Sequence, residues 1–499
     1  MTATVDGNFA GRLVKRLGRC SYLVDAATRR TIQPEELPRL IVAYGASLIS
    51  AGLREGDRVL IGCSLSPATA LVYLGAIYAG LVAVPVEDRL LATSASTFLE
   101  MTAARAVWTE AGVRGGGTGK GSVLWLQGDL AKSSSEIMPP AACEASDAAA
   151  LMATSGSTSV PRFVIVTHGN LIANTEAIIR SQRLARDERA MMILPVSYCF
   201  GASLLHTHLY QGGGVVFDRR FMFPDRVLQA IADFSCTTFA GVPTVYNVLL
   251  RRSNMQGVPM PSLRRFLQAG GALASDKVRK MREEFPQVPF YVMYGQTEAT
   301  ARISCMEPER WEEKPGSVGR PLDNLTLSIA DDLGTDLPAG KTGELRVKGP
   351  SVCAGYLNDP EETRRVFLEG WLRTGDLARR DEEGYLWIEG RKGAFLKMRG
   401  IRVSLAEVEE RVATIPGVYE CAACAVGHPE AGEALVLFIV PDPGATVDAE
   451  QVRRHLPAHW ALDSIRSISQ LPKNSAGKIT RPSLSVLGKE SPCTSLTTK

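Results

Sequence analysis

From residue 34 onward the chain alternates two hydrophobic periods. Residues 34 to 52 carry apolar side chains at helical spacing and close on Gly52, whereas Arg58 to Gly62 is an apolar run with the character of a buried strand. A helical stretch returns over about 67 to 80, and Leu81 to Pro85 repeats the strand-like run. The alternation resumes with strands at 163–167, 190–195, 214–217, 237–240, from 266 and at 290–294. Helices are expected between them over about 169–185, 201–211 and 224–234, from about 243, and up to about 285. Helix and strand in turn predict βαβ units and a parallel sheet. From about residue 316 the runs shorten between Gly and Pro turns, as in Gly343 to Gly349, which predicts an added antiparallel layer. Beyond Gly390-Arg391-Lys392-Gly393, the stretch from Phe395 to about Leu487 reads β-β-α-β-β-α. The expected fold class is α/β, with a large N-terminal domain over 1–390 and a small α+β C-terminal domain over 391–488. The polar residues 489–499 are expected to form a disordered tail.

Composition narrows the function classes. A chain of 499 residues is too long for one core. Its net charge of +3, from scattered Lys and Arg, gives no nucleic-acid footprint. The opening Met1-Thr-Ala-Thr-Val-Asp-Gly lacks a basic region followed by an apolar run, so no leader is expected. The most apolar stretch, Ala68 to Val86, is broken by Gly75, Gly80 and Pro85 and reads as a buried helix entering a strand, not a membrane span. Ten cysteines show no paired spacing, and Cys421-Ala-Ala-Cys424 lacks the second pair a zinc site would need. A cytoplasmic protein with reduced thiols is expected. His206-Leu-His208 is the one histidine pair with metal-type spacing, and it reads as packing or pocket lining. Gly115 to Ser122 mimics a phosphate loop, but Arg114 and Gly121 stand where that loop needs Gly and Ser or Thr, so it reads as a connector.

Five stretches carry candidate chemistry. Thr154-Ser155-Gly156-Ser157-Thr158-Ser159, followed by Val160-Pro161-Arg162, offers small donors and a planar cation suited to an anion. By itself it reads equally as a phosphate cradle or a polar turn. Thr297 and Glu298 directly follow a buried strand, a place suited to Mg²⁺ bridging phosphates or, alternatively, to a helix-capping acid. Asp376, in Thr374-Gly-Asp376, can accept from a ribose diol or serve a turn. Arg391 stands at the domain boundary, and Lys478 follows a glycine turn near the end of the second domain.

In this order the five stretches resemble the AMP-forming adenylating enzymes: acyl- and aryl-CoA synthetases, adenylation domains of nonribosomal peptide synthetases, and beetle luciferases. The resemblance runs from about residue 30 to 485, and Tyr294 to Arg302 is most similar to bacterial acyl-CoA ligase-like members. It implies that Thr154 to Arg162 holds the β- and γ-phosphates of ATP, with Arg162 where the family often has lysine. It implies that Gly270, Gly271 and Ala272 wall the adenine, with Tyr294 stacked on the base. Thr297 would contact the α-phosphate, Glu298 would bind Mg²⁺, and Asp376 and Arg391 would hold the ribose. Lys478, from a mobile C-terminal domain, would bridge the substrate carboxylate and the α-phosphate. The chemistry agrees with these residue types. A carboxylate, already ionised at neutral pH, needs no general base to attack a phosphorus, so catalysis rests on position and on cations.

Amino-acid adenylation domains place an aspartate just after an aromatic residue to pair the substrate ammonium. Here that position is Gly201, and an unpaired buried ammonium is costly. Tyr198, Phe200, Ser203, Phe239, Ala240, Gly241 and Val242 form a mostly apolar candidate pocket, so a fatty or other non-amino carboxylic acid is expected. The thiol acceptor stays open between CoA and the phosphopantetheine of a separate carrier protein. Gly393 replaces the usual hinge aspartate or lysine, and no obvious insertion separates Glu298 from Asp376. Leu462-Asp463-Ser464-Ile465 imitates a carrier attachment site, but it lies in the segment leading to Lys478 and is set aside.

Overall fold

The computed structural model describes the chain apart from residues 1–4, 112–122, 134–137, 155–160, 393–394, 399–400, 429–431, 458–459, 461, 474–478, 480–483, 485–486 and 488–499. Four sheets organise the described residues. In the first, the strands Leu124–Gln127, Ala106–Thr109, Arg58–Cys63, Val82–Glu87 and Ala148–Thr154 run parallel, and Arg162–Thr167 turns back antiparallel at the edge. The helix Pro67–Tyr78 shows why this half forms βαβ units. Ser66 accepts from Thr69 N–H, proline occupies the first turn, and Thr69 to Tyr78 are all buried.

The second sheet holds nine strands. Phe290–Tyr294, Arg265–Gln268, Thr238–Gly241, Arg189–Met192, Gly214–Phe217 and Leu23–Asp25 are successive parallel neighbours, with short antiparallel strands at both ends. This parallel core has the helix and strand alternation the sequence predicts, with ends shifted by one to four residues. The expected antiparallel layer is the third sheet, built on Trp371–Arg380 paired with Gly343–Lys348 and Leu386–Arg391.

The smaller C-terminal domain has its own sheet and its own core around Val408, Val412, Leu437 and Ile439. It contains one strand more than the hydrophobic pattern suggests. Leu462–Ser467 pairs parallel with Gly432–Pro441, so the carrier-like Leu462 to Ile465 is extended chain inside a sheet. Cys421 and Cys424 lie three residues apart on Val418–His428, and one joins the core above the sheet while the other joins the core below. Strand geometry therefore parts the two thiols. The nine described cysteines form no disulfide with one another. The two domains touch through Arg251, at the end of the helix Pro243–Arg252. Arg251 donates to Val418 O at 3.0 Å, pairs with Asp442 and lies 4.1 Å over the Tyr419 ring. No helix among the described residues is long and apolar enough to cross a membrane.

Candidate active site

The strand Phe290–Tyr294 ends on Gly295, where any Cβ would stand 1.9 Å from Ala301 O, so the chain can double back sharply only at glycine. The turn Thr297–Ala299 follows, and it ends on Thr300 at φ +69°, a conformation a β-branched residue seldom adopts. The Thr300 hydroxyl donates to Ser351 O at 2.7 Å, and this bond helps hold the strained turn. The turn thus presents Thr297 and Glu298 from a fixed backbone. Tyr356 donates its hydroxyl to Glu298 Oε1 at 2.9 Å and so orients the carboxylate. The turn offers one oriented carboxylate, next in sequence to the Thr297 hydroxyl, with the Cys199 and Cys353 thiols packed against Thr297. Hard oxygen ligands in this number suit Mg²⁺ bound jointly with phosphate oxygens. Among the described residues no group of three potential metal ligands occurs, so an all-protein metal cage is not what this site offers.

Next to this turn, Tyr294, Gln296, Asp376 and Arg391 form one network. Tyr294 donates to Asp376 Oδ2 at 2.5 Å, and Gln296 Nε2 reaches the same oxygen at 3.3 Å. Arg391 Nε lies 2.9 Å from Asp376 Oδ1, and the two residues are direct partners across antiparallel strands. Burial, reinforced by the Asp376 charge, pushes the Tyr294 phenol well above its ordinary value, so it remains a donor. Asp376 in turn raises the Arg391 guanidinium.

Thr154 and Arg162 face each other across the antiparallel pair that carries the hydroxyl-rich loop. Arg162 is already engaged: its Nη1 lies 2.9 Å from Glu362 and its Nε 3.4 Å from Asp359. Its guanidinium also stands 5.9 Å over the ring of Tyr356, the residue that orients Glu298. Ser155, Gly156, Ser157 and Thr158, with Lys478 and Gly393, lie outside the described residues.

The nucleotide and acid candidates meet at two points. Gly270 adopts φ +88°, and a Cβ there would stand 2.5 Å from Tyr198 Oη. Gly271 and Ala272 follow on the exposed side. Thr297 Oγ1 contacts Cys199 Sγ at 3.6 Å, which sets the turn against the first residue of the helix Cys199–Tyr210. Around that helix Phe200, Phe239, Ala240 and Val242 are buried. At Gly201 a Cβ would meet Pro195 O at 2.2 Å, and at Gly241 it would meet Val245 Cγ1 at 2.6 Å. Ser203 donates back to Phe200 O at 2.7 Å. His206 packs between Phe9 and Tyr73 and bonds the Tyr73 hydroxyl at 3.1 Å, while His208 bonds Leu204 O. Burial lowers His206 to about 3 and His208 to about 4, so both rings are neutral packing groups.

Tyr356, Gln296, Asp359 and Glu362 are absent from the sequence-based site. Gln296 lies inside the quoted motif and could have been included. Tyr356 carries no local signal, since it reaches Glu298 across 58 residues.

Residues 21–357 match the AMP-binding enzyme family, and residues 407–478 match the AMP-binding enzyme C-terminal domain. The chain belongs to the AMP-binding enzyme family. A feruloyl-CoA synthase of an Amycolatopsis species is 29% identical, with 89% of this chain and 92% of that protein covered. A sulfoacetate–CoA ligase of Cupriavidus necator is 30% identical over 88% of this chain and 89% of its own. The crystal structure of ATP-bound MatB from Rhodopseudomonas palustris superimposes with a TM-score of 0.88 at 26% identity, covering 98% of this chain and 99% of that one. The AMP-binding family member is accordingly an enzyme of the acid–thiol ligase kind, with the α/β body and smaller C-terminal domain expected of it.

Proposed function

We propose that this enzyme activates a compact, non-amino carboxylic acid as its acyl-adenylate and passes the acyl group to the thiol of CoA. The contact between Thr297 and Cys199 carries the reading, because it sets the phosphate-facing turn against the acid pocket at 3.6 Å. An acid carboxylate held there lies beside the α-phosphate. Its oxygen attacks the α-phosphorus, the bond to the bridging oxygen breaks, and pyrophosphate leaves. The CoA sulfur then attacks the acyl carbon, and AMP departs with the electron pair of the broken C–O bond.

In this reading Asp376 and Arg391 hold the ribose, with Tyr294 and Gln296 fixing the carboxylate. Gly270, Gly271 and Ala272 border the adenine. Thr154 and the loop after it, with Arg162, face the departing phosphates. Glu298, oriented by Tyr356, is the residue that would hold Mg²⁺, which when bound offsets phosphate charge. Lys478 neutralises the junction of carboxylate and α-phosphate, and the domain boundary falls between 390 and 391.

The finer substrate assignment departs from a fatty acid. A wall of buried aromatic and small side chains supports a short or aryl acid. The curated relatives described above are named for feruloyl and sulfoacetate groups and for CoA, which favours CoA over a carrier protein.

The test is carboxylate-dependent exchange of labelled pyrophosphate into ATP across a panel of acids, followed by thioester detection with CoA. Lys478→Ala is expected to lower exchange by about 100-fold or more, as expected for loss of a charge aimed at the transition state. Folded protein with Mg·ATP that shows no exchange with any acid would refute the proposal.

A further inference from the structure

Arg302 is buried, and no carboxylate among the described residues pairs with it. It follows Thr297 by five residues, on the chain leaving the phosphate-facing turn, and is 2% exposed. Its main chain is well held: Asn174 Oδ1 accepts from its N–H at 3.3 Å, and Asn174 Nδ2 donates to its carbonyl at 2.9 Å. The guanidinium is held differently. Its carbon lies 4.7 Å from the centroid of the Phe200 ring, and its Nε has no hydrogen-bond partner among the described residues. The groups that interact with its charge are Cys305, Cys199 and Tyr198, two thiols and a phenol, and burial pulls it below the ordinary arginine value.

Buried arginine is normally paired, because a desolvated charge is costly without a counter-ion. A single phenyl face offsets only part of that cost. The unpaired group also lies at a particular place. Tyr198 and Phe200 are walls of the acid pocket, and Cys199 between them touches Thr297. The positive end of the helix Cys199–Tyr210 adds to the potential there. Tyr198, Phe200, Ser203, Ala240 and Gly241 bring no carboxylate to balance it. The Arg302 guanidinium, seated on Phe200, thus brings excess positive charge to the wall of the candidate acid pocket.

We infer that Arg302 is a specificity residue that pairs with a second anionic group on the acid substrate. The preferred acid is then a compact dianion, its second carboxylate or sulfonate a few bonds from the carboxylate that is adenylated. Guanidinium suits such a group, since its planar fork can donate two parallel bonds. The inference rests on the acid-activating reading above and adds the charge of the substrate to it.

The experiment compares matched pairs in the pyrophosphate-exchange assay: succinate, glutarate, adipate and phthalate, each against its monomethyl ester. The wild-type enzyme is expected to favour at least one diacid over its half-ester by about 30-fold or more in kcat/KM, the effect of leaving a buried charge unpaired. Arg302→Met should erase that preference and leave the half-ester rate within a few-fold of wild type, and Arg302→Lys should restore part of it. Half-esters used as well as diacids by the wild type would overturn the inference while leaving acid activation intact. Equal losses for both members of a pair in Arg302→Met, with an unchanged melting temperature, would also overturn it by assigning Arg302 a structural role. If that variant does not fold, the wild-type pairs and Arg302→Lys still decide. Exchange with no acid at all would instead refute the reading on which the inference stands.

Discussion

Arg162 cannot serve a phosphate without loosening its hold on two carboxylates, and this competition can be measured. Glu362→Gln keeps the shape of the side chain and the Glu362 N–H bond to Asp359 Oδ1, but removes one of the competing charges. Arg162 is 39% exposed in its side chain, against 14% for Glu362 and 34% for Asp359. An ion pair this accessible is worth about 0.2–1 kcal/mol, so release of the guanidinium can improve phosphate binding by about fivefold at most. The variant is expected to lower the KM for Mg·ATP by about two- to fivefold at low ionic strength, with the gain fading as salt screens the pair. In an Arg162→Gln background the same change should have no effect, because the group it releases is gone. The assay is initial-rate adenylation at saturating acid, over a range of ATP and of salt. A higher KM in Glu362→Gln, or a gain that persists without Arg162, would show that Arg162 does not serve the phosphates.

Gly270→Ala and Gly271→Ala should separate sharply. The first places a Cβ 2.5 Å from Tyr198 Oη at φ +88° and is expected to cost about 1–3 kcal/mol and to weaken ATP binding, whereas the second meets nothing nearer than Pro243 Cγ at 3.3 Å. Equal effects in chemical denaturation and ATP titration would reject the assigned geometry. Acid lability is a third expectation: burial holds His168, His206 and His208 at about 4, 3 and 4. These folded values lie below the unfolded value of about 6.5, so their contribution is complete above that pH and is lost as pH falls toward 4. Each group contributes a slope of about 1.4 kcal/mol per pH unit in that window, and three give about 4. His168→Asn keeps an acceptor for the Phe9 N–H and should remove about a third of the slope in urea melts, and a flat wild-type profile between about pH 6 and 5 would disprove the reading.

Much of the fold is legible in the sequence because its parallel strands are short, unbroken apolar runs divided by amphipathic helices, a pattern that does not depend on distant partners. Leu462–Ser467 escapes that logic. Only Leu462 and Ile465 in it are apolar, and it becomes a strand because Gly432–Pro441 offers it an open edge. The site divides in the same way. Thr297 and Glu298 follow a predicted strand and Asp376 lies within Trp371–Arg380, and all three are visible as motifs. The partners that orient them are not, because Arg162 meets Glu362 across 200 residues and Tyr294 meets Asp376 across 82. Such pairs have no period or spacing to betray them. Arg302 lies between, since a lone charge flanked by Ala301 and Ile303 is visible in the sequence, but its lack of a counter-ion is not.

The helix Pro243–Arg252 begins directly after Gly241 and Val242 of the candidate acid pocket and carries in its last turn Arg251, which contacts Tyr419, Val418 and Asp442. Ten residues of α-helix form a strut about 15 Å long, too short to bend appreciably. Val245 and Tyr246 of this helix pack tightly against Gly241. A rigid shift of that strut at the candidate acid pocket would reach the Val418 and Asp442 contacts of the C-terminal domain.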